Sequence, residues 1–198
     1  MEKQQVTINE YIAVKINSLQ KREESYTRAT LAKLRRGVGG HPGNVPDIWD
    51  FTLRDMPEDW LSQSGEPTSY EWAAHMTITL FALHQQGKDI KQNPMSVRGG
   101  SLGSAVRLFI NKRGIESENA IKRRFDTVIT ANAVEELSFH LRGLINLIKS
   151  ENIPLDYPRL AEDLQKFQYP EQRDKIRLRW GQDYYFNKNR EVENNDEE

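Results

Sequence analysis

The chain has 198 residues, with 28 basic and 29 acidic side chains, and no cysteine. A chain of that length buries about 70% of the surface its unfolded form would expose, so one sizeable core, or two small bundles sharing an interface, needs no covalent staple. The absence of cysteine excludes disulfides, thiolate metal sites and thiol nucleophiles; with no signal-peptide pattern over residues 1–11 and no apolar run of about 20 residues, a soluble cytoplasmic protein without membrane contact is expected.

In chain order, Thr7 with Glu10 has the spacing of a capping box ahead of Tyr11, Ile12, Ile16 and Leu19. Ser25 is expected to cap a short helix that reaches Arg36 and stops at Gly37. Residues 37–46, Gly-Val-Gly-Gly-His-Pro-Gly-Asn-Val-Pro, hold too many turn formers for a helix and read as a loop. Asp47 is expected to cap a short segment carrying Ile48, Trp49, Phe51 and Leu53, broken by Pro57 before Trp60 and Leu61. Thr68 with Glu71 forms a second capping box, opening a long helix through Trp72, Met76, Leu80 and Leu83 that ends at Gly87.

After a loop rich in Gly, Pro and Asn, helices are predicted over 101–113, 117–130 and 132–150, the last strongly apolar through Leu137, Leu141, Leu144, Ile145 and Ile148. Asp156 caps a helix through Leu160 and Leu164, and Pro170 begins a final one through Ile176, Trp180, Tyr184 and Tyr185. No run alternates apolar and polar residues long enough to propose a sheet. The fold class is therefore all-α, a bundle of about eight or nine helices over residues 1–190. A division into packed halves near residue 90 is compatible with the loop composition, and residues 191–198 read as an acidic, disordered tail.

Catalytic chemistry finds little support. His41, His75, His84 and His140 fall in no metal motif; Glu71 and His75 are one helical turn apart, an ordinary side-chain pair. His84, near a helix C-terminus, is explained by a partly charged imidazole facing the dipole there. Ser62, Ser64, Ser101 and Ser104 lack a nucleophile elbow. Capping and dipole compensation account for Asp156, Glu162 and Asp163. The turn Gly99-Gly100-Ser101-Leu102-Gly103 lacks the ending of a nucleotide-binding loop; a phosphate cradle and a plain turn with a serine cap both fit it. No enzyme, cofactor or metal is expected.

Charge is more informative. The near-neutral balance hides a contrast, because residues 191–198 hold five acids and no base, leaving +4 on the rest. Residues 25–46 carry Arg28, Lys33, Arg35 and Arg36 without an acid, and residues 90–115 carry Lys91, Arg98, Arg107, Lys112 and Arg113 without one. Such stretches fit phosphate contact, although solvated helix faces are often basic too. On the helix over 101–113, Leu102, Val106 and Phe109 form the packing face and place Gly103 and Arg107 together on its flank, where a backbone could approach while the guanidinium grips phosphate. Lys122, Arg123 and Arg124 flank and oppose Ile121, Phe125 and Val128, and Arg142 and Lys149 repeat at seven residues. Exposed aromatics for base stacking are not evident, which favours contact with sugar-phosphate backbone over base readout.

Several segments, in order and from about Arg28 to Tyr185, resemble the CasB small-subunit family of the type I-E CRISPR Cascade complex. They are residues 28–37 with the glycine-proline loop, Leu80-Phe-Ala-Leu-His-Gln-Gln86, Ser101-Leu-Gly103, Lys122-Arg-Arg-Phe125, His140-Leu-Arg142, Leu155-Asp-Tyr157, Arg179-Trp180 and Asp183-Tyr-Tyr185. The resemblance implies an all-helical, non-catalytic subunit present as two copies beside the backbone subunits and the large subunit. It further implies contact with the displaced strand of the target DNA and with the crRNA–target hybrid. Carried onto matching positions, the implied contacts are Arg28, Lys33, Arg35, Arg36, Arg98, Arg107, Lys122, Arg123, Arg124 and Arg142. The competing reading is a helical adaptor that binds only protein.

Overall fold

The computed structural model describes residues 6–195, apart from the side chains at 115 and 187–195. Among them are nine helices: α1 (Ile8–Lys21), α2 (Glu24–Leu34), α3 (Trp49–Thr52), α4 (Ser69–His84), α5 (Leu102–Arg113), α6 (Glu118–Thr130), α7 (Val134–Ser150), α8 (Tyr157–Phe167) and α9 (Pro170–Asn195). The only β pairing among the described residues is one parallel bridge between Ser96 and Leu155. The protein is all-α.

Both capping boxes form. Thr7 and Thr68 accept from the amides of Glu10 and Glu71, whose carboxylates accept in return from the threonine amides. Ser101 and Asp156 cap α5 and α8. Two expected caps do not: α2 begins after Glu23, which makes no side-chain cap, with Ser25 already inside the helix, and Asp47 turns instead to Arg36 at 2.9 Å. The segment expected to follow Asp47 is a 3₁₀ turn, Pro46–Ile48, and the single α-turn of α3. The glycine-proline loop is likewise partly wound, into the 3₁₀ turns Arg35–Gly37 and Pro42–Asn44. α9 continues through Asn195, into the stretch read as a disordered tail; once docked, a helix extends at one hydrogen bond per residue fixed. Residues 196–198 of that expected tail lie outside the described residues.

The core explains the order of packing. α4 is buried on nearly every side, as expected for a helix at the centre of a bundle; α8 runs against it and against α1, and α7 packs on α4. α9 lies along α5 and also meets α8. Apolar residues from both expected halves, from Ile12 to Trp180, join one cluster. Fully buried large side chains such as Phe81, Tyr157 and Trp180 each add about 1.5–3 kcal/mol over an exposed position.

Candidate nucleic-acid interface

The residues that invited a search for chemistry turn out to hold the fold. His75 does not pair with Glu71, whose carboxylate belongs to the capping box; its Nε2 donates to the Gly37 carbonyl at 2.9 Å and pins the loop that follows α2. Gly37 fits closely there: a Cβ would lie 2.7 Å from Ile48 Cδ1 and 2.9 Å from Thr79 Cγ2, so these side chains would have to shift to admit one. His84 is completely buried, with Nδ1 3.0 Å from the Tyr157 hydroxyl. Burial, reinforced by Lys88 and Lys149, pushes its pKa down to about 3, so this imidazole is neutral rather than a charged partner of the helix dipole.

Asp163 is not a first-turn acid of α8 but a buried anchor between α8 and α9. Its carboxylate accepts from Trp180 Nε1 at 2.7 Å and pairs with Arg179. Among the described residues no three His, Asp or Glu side chains are grouped so as to hold a metal ion.

The glycine turn before α5 already has its anion. Gly99 N donates to Asp156 Oδ2 at 2.9 Å, while Asp156 Oδ1 caps α8 through the Arg159 amide at 3.0 Å. The Asp156 amide in turn donates to the Gly100 carbonyl at 2.8 Å. This arrangement joins the entrances of α5 and α8 and favours the plain-turn reading over a phosphate cradle.

Gly103 and Arg107 also point inward. The backbone that approaches Gly103 is that of α9: a Cβ here would fall inside contact distance of the Trp180 carbonyl and 2.8 Å from the Tyr184 nitrogen. Arg107, expected on a solvent flank, is 5% exposed, with Nη1 2.7 Å from Glu118 Oε1 and its guanidinium over the Tyr184 ring. Tyr184 OH donates to the same Glu118 oxygen at 3.2 Å. The guanidinium is spent on joining α5, α6 and α9. Arg177, singled out by no sequence pattern, performs similar work by donating to the Ile129 and Ala131 carbonyls at the end of α6.

The remaining basic candidates are on the surface. Arg28, Arg36 and Lys122 hold exchangeable surface pairs with Glu24, Asp47 and Asp126, worth at most about 1 kcal/mol each. Lys33, Arg35, Arg98, Arg123, Arg124 and Arg142 have no carboxylate partner among the described residues. Of these, Arg35 is half-buried and the rest are exposed.

The structure draws some of them together. A groove of about 450 Å³ between α2 and the turn after α4 is lined by Arg22, Arg28, Arg35, Lys88 and Lys91, against two acids, Glu24 and Asp89. Lys149 of α7 adjoins it, donating to Gln86 Oε1 at 2.7 Å, and Lys88 donates to the Lys149 carbonyl at 3.2 Å. Burial lowers the pKa of both lysines; the Lys149 charge adds to the effect on Lys88, as the Arg35 charge does on Lys149. Arg142 stands beside Gly39 on the same helix as Lys149. Arg98 before α5, and Arg123 and Arg124 on α6, do not line the groove.

Lys88 escaped the sequence reading because Asp89 interrupts the acid-free stretch. The Asp89 carboxylate is committed to the amides of Lys91 and Gln92, at 2.7 and 3.0 Å. Exposed aromatics were also missed: Phe139 is 69% exposed and Tyr185 55%. A second depression, of about 610 Å³ beside α1 and α3, has balanced charge: Glu10, Asp50 and Asp55 face Lys15, Arg22 and Arg54.

Fold and site together define an all-α protein whose buried ionic clusters are structural and whose surface carries a groove with five cations against two acids. Residues 30–185 match the sequence family described as CRISPR-associated protein Cse2, and the chain belongs to that family. It is similar to the crystal structure of CasB from Thermobifida fusca, with 29% identity and a TM-score of 0.71 over 91% of this chain and 99% of that one. A Cse2-family protein from Thermus thermophilus, at 21% identity, shares the fold with a TM-score of 0.67, again over 91% and 99% of the two chains. A chain of a structure described as a CRISPR RNA-guided surveillance complex does so at 18% identity with a TM-score of 0.74, over 95% and 99%. A search of curated proteins finds no match.

Proposed function

We propose that this protein is a non-catalytic small subunit of a type I-E CRISPR Cascade surveillance complex. In antiviral defence it holds the sugar-phosphate backbone of the displaced DNA strand and of the crRNA–target hybrid. Its neighbours are the backbone subunits, the large subunit and a second copy of itself, in the cytoplasm. The observation that carries the reading is family membership over residues 30–185 combined with a groove in which five cations, Arg22, Arg28, Arg35, Lys88 and Lys91, outnumber two acids, Glu24 and Asp89. Strand exchange between a DNA duplex and an RNA–DNA hybrid is nearly balanced, so a few phosphate contacts are enough to tip it without reading sequence. The contacts proposed are Arg28, Lys33, Arg35, Arg36, Arg98, Lys122, Arg123, Arg124 and Arg142, joined by Lys88 and Lys149; Arg107 is left out because Glu118 occupies it.

The test is R-loop formation by the reconstituted complex over a salt series, with wild type and an Arg35→Glu, Lys149→Glu double variant. The variant should weaken target binding and flatten the plot of log affinity against log salt by about 0.7 for each single-strand phosphate it no longer neutralises. Equal affinity and slope in both would remove the groove from the interface. Absence of any salt-sensitive contribution from this subunit would favour the protein-only adaptor.

A further inference from the structure

We infer that the outward face of α7 is a nucleobase-stacking site: an unpaired base of a single strand lies on the Phe139 ring, and its backbone passes Gly143 toward Arg142 and Lys149. The inference rests on the proposed function and adds to it a contact that is not electrostatic.

Phe139 has the highest fractional exposure among the large hydrophobic side chains of the described residues, at 69%. A single exposed phenylalanine is ordinary on its own. Its surroundings are less so. One turn further on, Gly143 sits in mid-helix with nothing within 4 Å of where a Cβ would be. Glycine there costs about 0.5–1 kcal/mol relative to alanine, and no neighbour within the chain requires it. The result is a gap in the side-chain cover beside the ring, where the helix backbone is open to a neighbouring chain. His140 meets the ring edge to face at 5.4 Å, which limits its motion without covering it.

Charge selects the occupant. At three residues from Phe139, Arg142 shares its flank of the helix and has no carboxylate partner among the described residues. Lys149, a further seven residues on, has its pKa lowered by burial and by Arg35. From Phe139 to Lys149 the helix rises about 15 Å, the length of a few nucleotides. Aromatic ring, open glycine and a line of cations leading into a basic groove fit a single strand, whose bases present π-faces and whose backbone is anionic. An apolar protein surface would be a poor match for the cations.

The experiment uses the full-length chain and a single-stranded oligonucleotide carrying one 2-aminopurine, whose fluorescence is quenched on stacking, with affinity measured over a salt series. Phe139→Ala should weaken binding roughly 5- to 100-fold, abolish the bound-state quench and leave the salt slope unchanged. Phe139→Tyr should restore both readouts, and Phe139→Leu, apolar without a ring, should restore neither. An Arg142→Ala variant should instead reduce the slope. If Phe139→Ala binds and quenches as wild type does while the salt dependence persists, the stacking site is overturned and the proposed function stands. If wild type shows no salt-dependent binding, the stacking site is overturned, and the proposed function is decided separately by R-loop formation in the reconstituted complex. If Phe139→Ala binds strands normally but fails to enter the assembled complex, the face belongs to a protein neighbour and the stacking site is again overturned.

Discussion

Adding one methyl group to a helix should have opposite effects at Gly103 and Gly143. Both lie inside helices, where alanine is intrinsically better by about 0.5–1 kcal/mol. At Gly143 nothing stands within 4 Å of the new Cβ, so Gly143→Ala should stabilise the isolated protein by about that amount. At Gly103 the Cβ would press on the Trp180 carbonyl and come within 2.8 Å of the Tyr184 nitrogen. Both obstacles are helix backbone, so no side chain can swing aside; α5 and α9 must separate along their shared length. Overpacking of a core usually costs about 1–3 kcal/mol, and the rigid backbone places this case at the upper end or beyond, a net loss of about 2–3 kcal/mol after the propensity gain. For a chain of nearly 200 residues that corresponds to a fall of about 4–12 °C in Tm. Thermal and urea unfolding followed by circular dichroism at pH 7 would measure both variants. A Gly103→Ala protein as stable as wild type would refute the claim that α5 and α9 meet through this glycine.

Arg107→Ala should destabilise by about 3 kcal/mol in urea unfolding, since it removes a buried guanidinium together with its ion pair to Glu118; the loss should appear in the free subunit, before any nucleic acid is added. Asp163→Ala should cost about 2–4 kcal/mol by stranding the buried Trp180 Nε1, and Asp163→Asn, which still accepts from it, should cost less. Acid should weaken the fold through His84. Its folded pKa of about 3 lies below the usual 6.5, so below pH 6.5 the unfolded chain binds a proton that the folded one refuses. This contribution is complete above pH 6.5 and declines by up to about 1.4 kcal/mol per pH unit as pH falls toward 3. Denaturation at pH 7 and pH 5 should therefore show wild type losing more stability than His84→Gln.

Features legible from the sequence were those decided within a few residues. Thr7 with Glu10 and Thr68 with Glu71 announce helix starts because both partners of each box lie within one turn. Ser101 and Asp156 were legible for the same reason. Asp47 was misread because its better partner, Arg36, is eleven residues away, a distance no local rule reaches. The same limit governed the site. Gly103 and Arg107 do lie together, but which backbone approaches the glycine and which anion meets the arginine depended on α9 and α6 folding back onto α5. Lys88 was hidden by a neighbouring aspartate, and its approach to Lys149 required α4 and α7 to be packed. Arg123 and Arg124 behave as the helical wheel predicts, because three apolar residues on α6 suffice to orient them.

The position of α8 also matters for how the protein is made. α1, near the start of the chain, packs on α8, which begins only at Tyr157. During synthesis from the N-terminus, at about 5–20 residues per second, the apolar side of α1 must wait several seconds or more for its partner to leave the ribosome. Until then Ile12, Ile16 and Leu19, all buried in the finished fold, remain without that cover. A nascent chain arrested before α8 should be sensitive to protease and should bind chaperones, and one released after α9 should be neither.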